Sequence, residues 1–78
     1  MNTKQRITLI FRDLGVPAHL VGYELLRDAV ELAVADKNTL LNGIRDIYVP
    51  VAEKHGTTKV RLEHQCRHTI FCAWERTE

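Results

Sequence analysis

The stretch that decides the fold is Val51-Ala52-Glu53-Lys54-His55-Gly56-Thr57-Thr58-Lys59-Val60-Arg61-Leu62. It predicts a short helix that Gly56 breaks, a threonine cap at Thr57 or Thr58, and the start of a longer helix. That order is typical of a helix-turn-helix, whose second helix enters the major groove of DNA by its N-terminal turns. The unpaired N–H groups at such a helix start also suit a phosphate contact.

The chain on both sides of this stretch predicts further helices. The spacing i, i+3, i+4, i+7 of apolar residues indicates an amphipathic helix over 3–14, with Thr3 as its N-cap and Gly15 as its stop. A wide apolar face indicates a second helix over 22–35. The apolar residues of these two helices are Ile7, Ile10, Phe11 and Leu14, then Leu25, Leu26, Ala29, Val30, Leu32 and Ala33.

The second half of the chain predicts three more helices. The third runs over 39–48, is capped by Asn38 or Thr39, and turns Leu40, Leu41, Ile44, Ile47 and Tyr48 inward. Gly43 within it is expected to allow close approach of another helix. Pro50 suits the first turn of a fourth helix over 50–55, and a fifth reaches about Trp74. No stretch predicts a convincing strand, so the fold class is all-α, a bundle of about five helices.

Length and composition restrict the class of protein. Seventy-eight residues fit one domain over 1–78, and 45% hydrophobic with 27% charged residues argues against disorder. No apolar stretch is long enough for a membrane span, no signal peptide is visible, and two cysteines predict reduced thiols, so we expect a cytoplasmic protein. No phosphate loop, nucleophile motif or zinc spacing occurs, so we expect no enzyme, cofactor, metal or small-molecule ligand.

The charge is concentrated around the predicted turn. The formal net charge is only +1, but residues 54–68 carry four Lys or Arg against one acid, and three of the four histidines. The remainder of the chain is net negative, with seven basic and nine acidic residues. A local basic patch of this kind favours contact with phosphates.

A helical wheel divides the fifth helix into two faces. Leu62, Cys66, Thr69 and Ala73 form the buried stripe, with Gln65 and Ile70 beside it, and Trp74 is expected in the core against the first helix. The opposite face carries Val60, Arg61, His64, Arg67 and His68, with Glu63 at its edge. Arginine can donate two hydrogen bonds to guanine, and glutamate can accept one from cytosine. This face therefore predicts base reading, although a solvated face of an ordinary bundle helix is the alternative.

Several pieces of the chain resemble one family. They are Gly15-Val16-Pro17-Ala18-His19-Leu20 with Gly22-Tyr23, then Leu26-Arg27 and Ala29, then Thr57-Thr58 with Arg61, Glu63, Arg67-His68, Ile70 and Ala73-Trp74. In these pieces the chain is similar to the C-terminal DNA-binding effector domain of the stage-zero sporulation response regulator. The resemblance implies an all-helical domain that binds short promoter boxes in double-stranded DNA, often as two copies head to tail.

The resemblance also assigns residues. It implies base contacts by Arg61, Glu63 and the position of His64, with Arg67 on the DNA backbone. Supporting or backbone contacts are expected from Lys54, Thr57, Thr58, Lys59, Val60 and His68. The family usually has a second Arg at the position of His64, a small polar residue at Val60 and an Ala at Lys59, so the preferred box can differ.

The family's regulator has a receiver domain before this region and further helices after it, and neither is expected here. A protein-interaction module that keeps the fold but has lost DNA affinity is the second hypothesis, as is a competitor of a full-length regulator. Phe71 falls on the outward face of the fifth helix. It predicts either packing under the first helix or the N-terminal arm, or a self-association surface.

Overall fold

The computed structural model describes residues 1–43 and 45–77, apart from the side chains at positions 40, 42 and 77. These residues form helices and no strands, which confirms the all-α class. The helices are α1 (Thr3–Asp13), α2 (Val21–Ala35), α3 (Lys37–Asn42), α4 (Arg45–Lys54) and α5 (Lys59–Thr77).

The predicted third and fourth helices were wrong in their bounds. The predicted 39–48 helix is divided at Gly43, whose φ of +116° suits glycine and ends α3. Apart from its neighbours in the chain, no described residue places an atom within 4 Å of where a Gly43 Cβ would lie, so this glycine serves the turn and not a close helix approach. The helix predicted to start at Pro50 starts at Arg45, and Pro50 lies inside it. The ring nitrogen of Pro50 has no hydrogen to donate to the preceding turn, and α4 nevertheless continues to Lys54.

Two predicted caps also differ from the structure. Asn2, one residue before Thr3, caps α1, with its side chain accepting from the Gln5 amide at 2.8 Å and the Gln5 side chain accepting from the Asn2 amide at 3.0 Å. At the start of α3, the Asp36 side chain accepts from the Asn38 amide at 3.0 Å. The C-terminal stop at Gly15 is confirmed by its φ of +76°.

The core lies on both sides of α2. One cluster packs α2 against α4 and α5, and its buried residues are Leu25, Ala29, Ile47, Val51, Ala52, Leu62 and Cys66. The other packs α1 on α2, where the rings of Phe11 and Tyr23 meet edge to face with centroids 5.5 Å apart. Helix α2 therefore serves as the frame on which α1, α4 and α5 are placed.

The closest approach between helices occurs at Gly22, near the start of α2. A Cβ added there would overlap the Thr69 hydroxyl and the Gln65 carbonyl of α5. Only glycine permits this separation, so Gly22 sets how near α5 lies to α2.

Some apolar residues that were expected in the core lie at the surface. Trp74 is 64% exposed and Ile70 is 54% exposed, because α1 packs on α2 and not on α5 in the part of the chain that the structure describes. The first helix therefore does not cover the end of α5. Leu41 of α3, Ile10 of α1 and Leu14, which directly follows α1, are also exposed and not inward.

Candidate nucleic-acid interface

Helix α5 has one face fixed in the core and one face in solvent. Leu62, Cys66 and Thr69 have no exposed surface, as the helical wheel predicts for the buried stripe. The side chains on the opposite side are available to a ligand. Those that are exposed are Val60, Arg61, His64, Arg67 and His68, and Glu63 is half-buried beside them.

The turn before α5 is held by short hydrogen bonds. The Gly56 amide donates to the Glu53 carbonyl at 3.2 Å, and the Thr57 amide donates to the Ala52 carbonyl at 2.9 Å. Gly56 has a φ of +65°, in the left-handed region that favours glycine. The Thr58 hydroxyl then accepts from the Arg61 amide at 3.2 Å, which confirms Thr58 and not Thr57 as the cap.

This geometry leaves polar groups free at the start of α5. The amides of the first turn, at 59 and 60, precede the first intrahelical donor and have no acceptor within the helix. Thr58 and Lys59 are exposed beside them, and Thr57 is half-buried. The start of α5 therefore combines backbone donors, hydroxyl groups and a lysine in one place, and such a place suits an anion.

Two of the predicted contact residues pair with each other. The Arg67 guanidinium donates to a Glu63 carboxylate oxygen at 2.7 Å across one helical turn. The Arg67 side chain is 78% exposed and that of Glu63 is 38% exposed. An exposed helical pair of this kind contributes only about 0.3–0.5 kcal/mol, so either group can exchange its partner at small cost.

The structure places Lys54 and His55 against an acid of α2. One carboxylate oxygen of Asp28, Oδ2, lies 2.6 Å from His55 Nε2 and 3.2 Å from Lys54 Nζ. Asp28 is only 8% exposed. Burial by itself raises the pKa of the Asp28 carboxyl, but the hydrogen bonds from His55 and Lys54 outweigh it, so the net pKa lies below its ordinary value.

No motif in the sequence assigns a role to Asp28, but its position along α2 contains a signal. Asp28 stands in the apolar stripe of α2, three residues after Leu25 and four before Leu32. An acid at such a position is buried in the fold and requires a partner.

A cleft of about 520 Å³ opens beside the predicted reading residue Arg61. Its lining includes His19 from the loop before α2, Glu24 of α2 and Gln65 of α5. His19 is exposed and borders this cleft. No periodic pattern could have placed it there, because it lies in a loop.

Comparison with known protein families matches residues 7–78 to the family described as sporulation initiation factor Spo0A C terminal. The match covers nearly the whole chain. The chain belongs to this family. The family is a DNA-binding regulatory domain and not a catalytic one. The exposed face of α5 therefore belongs to a domain whose family binds DNA.

The thiol and histidine groups of this sporulation-factor domain do not form a metal cluster in the part of the chain that the structure describes. Cys72 Sγ lies 3.6 Å from His68 Nε2, but no third His, Cys, Asp or Glu joins them there. Cys66 is buried, and this burial raises the pKa of its thiol to about 11. The thiol is therefore neutral at physiological pH and a poor nucleophile.

None of the described helices combines the length and apolar character that crossing a membrane requires.

Proposed function

We propose that this protein is a sequence-specific regulator of transcription that binds double-stranded DNA with α4, the turn and α5 as a helix-turn-helix. The observation that carries the proposal is the division of α5 into a face that is fully buried at Leu62, Cys66 and Thr69 and a polar face that carries Arg61. A helix anchored in this way presents its side chains to a major groove with little loss of freedom on binding.

The exposed face suggests which groups read bases. Arg61 lies near the start of α5, and its guanidinium can donate to O6 and N7 of guanine. Glu63 can accept from the amine of cytosine once it has released Arg67. His64, one turn after Arg61, is the third base-reading residue of the proposal and the position where the preferred box can differ from that of the family.

The groups around these residues are proposed to hold the DNA backbone. Lys59 and the threonines of the turn lie at the anion-binding start of α5, and Arg67 lies two turns further along. The full set of proposed backbone or supporting residues is Lys54, Thr57, Thr58, Lys59, Val60, Arg67 and His68. Lys54 can act only with the part of its charge that Asp28 does not neutralise.

The proposal includes the assembly and the cellular site. Two copies bind adjacent promoter boxes as a homodimer on DNA, in the cytoplasm and on the nucleoid. Neither a membrane nor a small-molecule ligand takes part.

Fluorescence anisotropy tests the proposal directly. The chain is titrated into a duplex with two tandem sporulation-type boxes and into a scrambled duplex, each at two salt concentrations. Arg61→Ala is expected to lose about 1–3 kcal/mol of binding to the boxes, the value of one bidentate base contact. The matched control is Arg12→Ala, which removes an exposed arginine of α1, a helix that does not pack on α5. Equal, weak binding to both duplexes would contradict the proposal.

One observation favours a second function, a protein-interaction module. Phe71 and Ile70 are neighbours on α5, and they are 58% and 54% exposed. Adjacent exposed apolar side chains suit a contact with another protein, including self-association. Sedimentation of Phe71→Ser against Val34→Ser, an exposed apolar position on α2, tests this: only the first change should reduce association. A promoter-occupancy assay then decides whether the chain displaces a full-length regulator from its boxes.

A further inference from the structure

The buried carboxylate of Asp28 connects α2 to the turn before the recognition helix. We call Asp28, Lys54 and His55 the Asp28 triad. Lys54 is the last residue of α4 and His55 is the first residue after it. Asp28 is the one buried carboxylate in the described part of the chain. A buried carboxylate is stable only when it is paired and hydrogen-bonded, so its two partners are held where they are.

The two partners of Asp28 bind a single atom of its carboxylate. Both partners approach the same oxygen, Oδ2, with His55 Nε2 at 2.6 Å and Lys54 Nζ at 3.2 Å. The His55 side chain is 24% exposed and the Lys54 side chain is 64% exposed. The histidine contact is therefore the more protected from solvent, and screening by salt acts mainly on the lysine.

The triad and the glycine crossing together fix the direction of α5. Gly22 near the start of α2 meets α5 at Gln65 and Thr69. Asp28, two turns later in α2, meets the turn that leads into α5. Helix α5 is thus held to α2 at two places. One is the middle of α5, at Gln65 and Thr69, and the other is His55, three residues before the cap of α5.

We propose that Asp28 is a positioning residue for DNA recognition, because its carboxylate fixes the turn through His55 and Lys54 and so sets the angle at which α5 presents Arg61. The inference rests on the proposed DNA-binding function and deepens it. Asp28 touches no DNA and acts entirely through its two partners. The same carboxylate neutralises part of the charge that Lys54 brings to the phosphate-binding surface.

This role has a signature that a loss of stability alone does not produce. In Asp28→Asn the turn is no longer held by a charge, and the full charge of Lys54 becomes available to phosphates. Binding to the boxes is expected to weaken about tenfold, since a displaced Arg61 loses a contact of roughly that size. Binding to the scrambled duplex is expected to stay the same or to strengthen. For the scrambled duplex, the slope of the logarithm of the binding constant against the logarithm of salt concentration should become steeper by about one, as for one added phosphate contact.

Three variants control the experiment. Glu31→Gln removes a negative charge one turn further along α2, beside Lys54 in a shallow pocket, and should change neither duplex. His55→Gln keeps an N–H donor for Asp28 and should retain most of the preference for the boxes, whereas His55→Phe should lose it. These two His55 variants remain informative if Asp28→Asn does not fold.

Backbone NMR separates the inference from the proposed function. In Asp28→Asn without DNA, the amide signals of Gly56, Thr57 and Thr58 should shift and exchange faster, while those of α1 stay in place. If the wild-type chain shows no preference for the boxes, the proposed DNA function is wrong. The amide signals of Asp28→Asn would still show whether Asp28 holds the turn in place. If Asp28→Asn unfolds more easily but keeps its box preference and its turn signals, Asp28 serves stability alone and the positioning role is wrong.

Discussion

Replacing Gly22 with alanine separates two physical effects of opposite sign. Gly22 lies in the first turn of α2, where intrinsic helix propensity favours alanine by up to about 1 kcal/mol. The packing predicts the reverse, because the new methyl group would overlap both the Thr69 hydroxyl and the Gln65 carbonyl. A hydroxyl can rotate away, but the carbonyl belongs to the backbone of α5 and can move only with the helix.

The magnitude follows from the size of the overlap. Overpacking a core by one methyl group typically costs 1–3 kcal/mol, and a backbone obstacle places Gly22→Ala in the upper part of that range, at about 2–3 kcal/mol net. For a domain of this size, that corresponds to a fall in Tm of roughly 8–24 °C. The loss is a large fraction of a total stability on the order of 5 kcal/mol.

Urea unfolding followed by circular dichroism at 222 nm measures this free energy. The double variant Gly22→Ala with Thr69→Ala should recover only part of the loss, because it removes the hydroxyl and leaves the Gln65 carbonyl. Ala35→Gly at the exposed end of α2 calibrates the propensity of alanine and glycine in this helix. An increase in stability for Gly22→Ala, or complete recovery in the double variant, would refute the close packing of α2 on α5.

Three further measurements test other parts of the structure. The pKa of Asp28 is lower in the folded than in the unfolded chain, so its contribution to stability is present above the ordinary carboxyl pKa and is lost as pH falls through the folded value. The Tm should therefore drop below about pH 4, and less so in Asp28→Asn. A thiol reagent should label the partly exposed Cys72 quickly and the buried Cys66, with its pKa of about 11, only on unfolding; equal rates would contradict the buried stripe. Thr58→Ala should cost about 1 kcal/mol of stability through the lost cap, and an unchanged urea midpoint would argue against that hydrogen bond.

The sequence predicted the features that depend on neighbours along the chain. The 3.6-residue period placed α1, α2 and the buried stripe of α5 because helix faces follow from local spacing. Gly56 marked the turn and the pair Thr57 and Thr58 marked the cap, because such effects extend only three or four residues, and the structure selects Thr58. The resemblance that named the family also rested on short local pieces, and the family match confirms it.

The predictions that failed had required knowledge of distant packing. The periodic pattern predicted one helix across Gly43, where the fold ends α3. Trp74 was predicted to pack in the core against α1, but α1 packs on α2 and Trp74 is exposed. The assignment of DNA contacts to side chains such as Arg61 remains a prediction, since it depends on a partner that lies outside the fold.

Sequence alone therefore determined α1, α2, the turn and the two faces of α5, while tertiary structure decided where α3 and α4 divide and how the helices are held. Asp28 and His55 are 27 residues apart in the chain, and no local pattern joins them. They meet because α2 and α4 pack on a shared core that buries the carboxylate and makes it require a partner. Gly22 likewise gains its role only from the crossing with α5. Short-range hydrogen bonds and helix faces follow from residues that are close together in the sequence, whereas burial and the pairing of buried charges exist only once the helices are packed.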